Sequence, residues 1–166
     1  MIDGKSIAIV PGSFDPITYG HIDIVKRAAE KYNVVYLAVM INDQKRYMFT
    51  LEQRKTIAQR AICDLPNVKV ISSDGMLWEL AQSLKADAIV KGYRNSTDYD
   101  YEINMAKFNS EHYPPAKTIL LKANEQLINM SSTFLRERIN NNESFDDCLP
   151  SAAADEVKRI LSAHAQ

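Results

Sequence analysis

The sequence predicts an α/β protein: a doubly wound, five-stranded parallel sheet with a helical cover at its C-terminal end. Three observations carry this. Five short apolar runs recur along the chain, "SIAIV", "NVVYLAVMI", "NVKVIS", "ADAIVKG" and "KTILLKA". Amphipathic segments separate them, and strand–helix–parallel strand units wind right-handed. No linker or low-complexity segment breaks the alternation, so residues 1–166 are expected to form a single domain.

Each element has its own signal. The five runs are short and rich in Val and Ile, as suits strands buried on both faces. After the first, "VPGSFDPITYGHIDIVKRA" predicts a helix from near Thr18, with Ile22, Val25, Ala29 and Tyr32 on one face. In "TLEQRKTIAQRAI", Thr50 and Gln53 have capping-box spacing, and Leu51, Ile57, Ala58, Ala61 and Ile62 suggest the buried face. "MLWELAQSL" and "DYDYEINMAKFN" supply two further helices. The hydroxyls of "NMSSTFLRE" stand where another helix starts, and "SFDDCLPSAAADEVKRILSA" reads as a loop and a covering helix.

Composition narrows the function. Hydrophobic residues make up 46% and charged residues 25%, ordinary for a soluble domain, and the net charge is -1. That balance argues against nucleic acid or an anionic membrane as the main partner, so any basic site must be local. Cys63 and Cys148 lie far apart without metal-ligand spacing, and are expected as reduced thiols in a cytoplasmic protein. No signal peptide or membrane-spanning run is apparent. His-Glu-x-x-His, Gly-x4-Gly-Lys-Ser/Thr and Gly-x-Gly-x-x-Gly are all missing, which disfavours a zinc site, a P-loop NTPase and a dinucleotide oxidoreductase. His112 and His164 stand in polar sequence and are expected at the surface. Tyr99, Tyr101, Phe108 and Tyr113 have the helical spacing of packing or interface residues.

The stretch after the first strand carries the chemistry. A doubly wound sheet binds ligands beyond the carboxyl ends of its strands. Gly12 permits a sharp turn, and Gly20 permits close approach to a bound group. A helix starting at Thr18 offers free N–H groups and a positive dipole end to a phosphate. His21, one turn in and on the side of Thr18, is biased towards the neutral ring, yet can still donate from one nitrogen to a phosphoryl oxygen. Taken alone, the same pattern fits a plain helix-capping histidine. Lys45, Arg46, Lys91 and Arg94 follow strands two and four and supply positive charge, with Lys91 directly after the buried run "ADAIV".

"GSFDPITYGH" resembles the first motif of the nucleotidyltransferase superfamily, and "MSSTFLR" resembles its second. "FDPITYGHIDIVKRA", "MFTLEQR", "KGYRNSTDYDYE" and "SSTFLRE" recur in order in the bacterial phosphopantetheine adenylyltransferase family, which the chain resembles over nearly its whole length. The resemblance implies a Rossmann-like nucleotidyltransferase fold. It also implies transfer of the adenylyl group of ATP to 4'-phosphopantetheine, giving dephospho-coenzyme A and pyrophosphate. Another nucleotidyltransferase of the superfamily (a cytidylyltransferase or a nicotinamide mononucleotide adenylyltransferase) is the nearest alternative, and a non-catalytic nucleotide-binding module is the other.

The same resemblance implies roles. His21, Lys45 and Arg94 match catalytic positions. Ser13 and Phe14 match the junction of acceptor and ATP, while Lys45, Leu77 and Lys91 match ligands of the acceptor. Gly92, Tyr93, Arg94, Glu102, and the segment Leu127, Ile128, Asn129, Met130, Ser131, Ser132 and Thr133 match ATP-binding positions. No direct protein ligand to a metal is expected, with Mg2+ carried on the ATP phosphates. A homohexamer and feedback by coenzyme A are expected on the same ground. Four positions depart from the family pattern: Lys91 replaces arginine, Tyr93 a small aliphatic residue, and Leu127 an aromatic. Tyr47 replaces a proline, which predicts a looser loop.

Overall fold

The computed structural model describes residues 4–165. Five parallel strands, β1 (Ile7–Gly12), β2 (Val34–Met40), β3 (Val68–Ser73), β4 (Ala88–Tyr93) and β5 (Lys117–Lys122), form one sheet in the order β3-β2-β1-β4-β5. The chain winds outward from β1 to β3, then returns to place β4 on the other side of β1. The carboxyl ends of β1 and β4 therefore flank the crevice where the winding reverses, the place such a sheet offers to ligands.

Helices cover both faces. Helix α1 (Tyr19–Lys31), α2 (Leu51–Ala61), α5 (Ser132–Asn140) and α6 (Ser151–His164) enclose the larger core. Helices α3 (Leu77–Leu84) and α4 (Ser96–His112) lie on the other face. Strand β1 shows why both faces need cover: Ala8 and Val10 enter the larger core, while Ile7 and Ile9 enter the smaller. The expected C-terminal cover is α6, which packs on α2 and buries Ala153, Ala154, Val157 and Ile160.

One detail departs from the expected faces. Helix α1 buries Ile24 and Ala28 beside Ile22 and Val25, while Ala29 is only half-buried and Tyr32 caps the end. Helix α4 buries Asn109 alone, and Tyr99, Tyr101, Ile103 and Phe108 stay exposed, so this helix rests on the sheet with little of its own apolar surface covered. His112 is not in polar surroundings: its ring stacks on Trp78 at 5.0 Å and lies 4.4 Å from Phe108.

Candidate active site

Thr18 is the residue on which the opening turn closes. It caps α1, and its backbone N–H donates to His21 Nδ1 at 3.0 Å. Its hydroxyl, 3.2 Å from the same nitrogen, donates to the Met130 carbonyl at 3.0 Å. Nδ1 therefore accepts, and the one proton of the neutral ring resides on Nε2. Burial, with the positive charge of Arg94 second, lowers the His21 pKa to about 4. Phe14, held at φ 48°, sets its ring edge-on to the imidazole at 5.1 Å. The result is a neutral N–H donor of fixed direction.

A direct expectation follows for the free protein. The 15N spectrum of His21 should show the Nε2–H tautomer and titrate near pH 4 instead of 6.5. Because the unfolded chain binds this proton more tightly, the contribution to stability is complete above about 6.5 and is lost as pH falls towards 4. A His21 titration midpoint at the ordinary value would remove this reading of the ring.

The two sequence motifs, more than a hundred residues apart, are sewn together by side-chain bonds to main-chain carbonyls. Ser132 donates to the Pro16 carbonyl at 2.8 Å, and Arg136 donates to the Asp15 carbonyl at 2.8 Å. Gly20 meets this seam. A Cβ there would stand 2.6 Å from the Met130 carbonyl oxygen, so glycine serves the approach of protein backbone instead of a bound group. Gly12 likewise makes room for the Phe14 ring, 3.0 Å from where its Cβ would be. Asp15, buried, accepts from the backbone N–H groups of Met48 and Phe49 and so ties the turn to the start of α2.

The hydroxyl run divides its work. Ser131 accepts from the Phe134 N–H and caps α5, and Thr133 Oγ1 accepts from Arg136 at 3.2 Å. The first N–H groups of α5 then remain for an anion. With its donor spent on Pro16, Ser132→Ala should act mainly on stability, lowering it by about 1 kcal/mol. Thermal unfolding should register this as a loss of about 2–4 °C. An unchanged melting temperature with weaker ATP binding would make Ser132 a ligand group instead.

Phe14, Asp15, Gly20, His21 and the stretch from Met130 to Thr133 face one cavity of about 900 Å3 at the crevice between β1 and β4. Lys91 on β4 pairs with Glu102 of α4 at 2.5 Å. Arg94 pairs with Asp98 at 3.0 Å, and that contact lowers the Asp98 pKa. Lys45 Nζ stands 3.5 Å from Ser13 Oγ. Cations thus ring the cavity with the neutral imidazole among them.

Residues 9–138 match the family described as cytidylyltransferase-like. The phosphopantetheine adenylyltransferase of Caldanaerobacter subterraneus subsp. tengcongensis is 39% identical to this chain, covering 93% of it and 94% of its own length. That of Streptococcus equi subsp. zooepidemicus is 37% identical, with 96% of each chain covered. The chain belongs to the phosphopantetheine adenylyltransferase family. The fold agrees: a solved structure of a candidate nicotinate-nucleotide adenylyltransferase from Vibrio parahaemolyticus superposes with a TM-score of 0.69 at 17% identity, covering 93% of each chain.

For a member of the phosphopantetheine adenylyltransferase family, the site residues expected from sequence fall in a coherent place. All of them line the cavity except Asn129, whose carbonyl accepts from Ser131 N–H; Arg46 also lies outside the walls. Tyr47, expected to loosen its loop, makes two contacts. Its hydroxyl accepts from Asn42 N–H at 2.9 Å, and its ring covers the Arg54 guanidinium at 3.9 Å. Arg54, Asp15 and Arg136 escaped the sequence reading as supports of the site. Arg54 had a signal: it occupies the inner-face spacing of Ile57, Ala58 and Ala61, a charged residue where an apolar one is expected.

Proposed function

We propose that this chain transfers the adenylyl group of ATP to 4'-phosphopantetheine, releasing pyrophosphate and forming dephospho-coenzyme A. One observation carries the chemistry: the Nε2–H of a neutral His21 and the open N-terminus of α5 share a single cavity ringed by Lys45, Lys91 and Arg94. The relatives' names support the two substrates over those of other superfamily enzymes.

An oxygen of the acceptor's phosphate forms a bond to the α-phosphorus as the bond to the bridging oxygen of pyrophosphate breaks. Pyrophosphate leaves with the electron pair. No protein nucleophile is needed, so the residues act by placement and charge. His21 donates to an α-phosphoryl oxygen as negative charge builds there. Lys45 and Lys91, beside Ser13 and Leu77, receive the acceptor, while Arg94 and the α5 N-terminus receive the departing phosphates. Gly92, Tyr93, Glu102 and the segment from Leu127 to Thr133 complete the nucleotide half.

Mg2+ is proposed to ride on the ATP phosphates. The described residues hold no cluster of three or more His, Cys, Asp or Glu suited to a metal, and Asp98 and Glu102 already face Arg94 and Lys91. Bound there, the ion would neutralise phosphate charge. The exposed apolar side chains of α4 suit burial between copies in a homohexamer, and light scattering would measure the mass. Coenzyme A contains the product's adenylate and pantetheine parts and would compete for the same cavity. No described helix is long and apolar enough to cross a membrane, and action in the cytoplasm, without nucleic acid, is part of the proposal. Pyrophosphate release from ATP, dependent on added phosphopantetheine, is the test. Release driven equally by nicotinamide mononucleotide, or none with either acceptor, would refute it.

A further inference from the structure

A buried guanidinium that forms no ion pair among the described residues lies behind the acceptor half of the cavity. Arg54, on the inner face of α2, is 2% exposed. Among the described residues its Nε has no partner. Its Nη1 donates to the Ser13 carbonyl at 2.8 Å and to the Met40 carbonyl at 3.2 Å. The Tyr47 ring covers the guanidinium at 3.9 Å, and the Tyr47 hydroxyl closes back on Asn42.

An arginine buried this deeply usually answers an acid. Here it answers two carbonyls from segments that must keep register. Ser13 belongs to the turn after β1. Met40 ends β2 and leads into the loop that carries Lys45. Those segments meet again on the cavity side, where Lys45 Nζ approaches Ser13 Oγ at 3.5 Å. The turn has reason to be held, since Phe14, next to Ser13, sits at φ 48°, a region disfavoured for a residue with a Cβ. Nη1 alone donates to both carbonyls, while the flat face of the guanidinium lies under the Tyr47 ring, a stacked geometry that suits a planar cation better than an ammonium.

We propose that Arg54, clamped beneath Tyr47, is a positioning residue that holds Ser13 and Lys45 at the separation one phosphate group requires, that of the acceptor. It touches no substrate and acts through the Ser13 and Met40 carbonyls. The inference rests on the acceptor reading above, and its test separates the two.

Steady-state pyrophosphate release is measured with each substrate varied in turn, alongside thermal unfolding. Arg54→Lys keeps the charge but loses the flat face under the Tyr47 ring and the reach of Nη1 to both carbonyls; its KM for phosphopantetheine should rise about tenfold to a hundredfold, while that for ATP stays within about twofold. Tyr47→Leu leaves Arg54 in place but uncovers it, and should show the same split to a smaller degree. Acceptor KM values unchanged in both variants would overturn the clamp. So would a parallel rise of both KM values with a fallen melting temperature, the mark of a merely structural arginine. Where Arg54→Lys does not fold, the split in Tyr47→Leu decides alone. A wild-type chain that releases no pyrophosphate sinks the substrate reading itself, whereas an active wild type with unmoved variants sinks only the clamp.

Discussion

Replacing His21 by alanine is expected to lower kcat by about two to four orders of magnitude, the range for losing a preorganised electrostatic donor. The geometry says which quantity should move. Nδ1 is committed to the Thr18 N–H, so the ring has one donor to give, and that donor is the Nε2–H on the cavity wall. A neutral donor adds little to binding a phosphate already surrounded by cations. It matters most when charge builds on the α-phosphoryl oxygen in the transition state. ATP affinity, read by calorimetry, should therefore change far less than turnover. Equal losses in affinity and in kcat would show that His21 is a ground-state ligand.

Parts of this site were legible in the sequence because they rest on local chemistry. Thr50 and Gln53 form the capping box their spacing announced, and Thr18 begins α1 where the polar turn gives way to Ile22 and Val25. The strands were legible because a buried parallel strand leaves a continuous Val- and Ile-rich run. What stayed hidden depends on contacts between distant segments. Nothing in "MSSTFLRE" announces that Ser132 spends its proton on Pro16, or that Met130 sets the need for glycine at position 20. The contacts of Tyr47 are hidden for the same reason. Its replacement of a rigid residue implies looseness, while its ring lies on a buried cation seven positions later that no local pattern joins to it.

Lys91 gives the second large effect. The side chain lies on β4, beside the switch in winding, with its ammonium 2.5 Å from Glu102 and both groups mostly shielded from water. Lys91→Met would remove a charge-assisted contact to the acceptor phosphate, a loss of about 1.5–3 kcal/mol. The KM for phosphopantetheine should therefore rise by about one to two orders of magnitude. The variant also leaves Glu102 facing the cavity with no cation, so its negative charge would repel an arriving phosphate and push the effect towards the upper end. Lys91→Arg keeps the positive charge and offers a fork to both Glu102 and a phosphate, so its acceptor KM should stay close to that of the wild type. Glu102→Gln separates the two contributions: it frees Lys91 from its carboxylate, and acceptor binding should tighten or hold while ATP kinetics change. Should Lys91→Met raise the ATP KM alone, the ammonium serves the nucleotide, and the acceptor phosphate must sit nearer to Ser13 and Lys45.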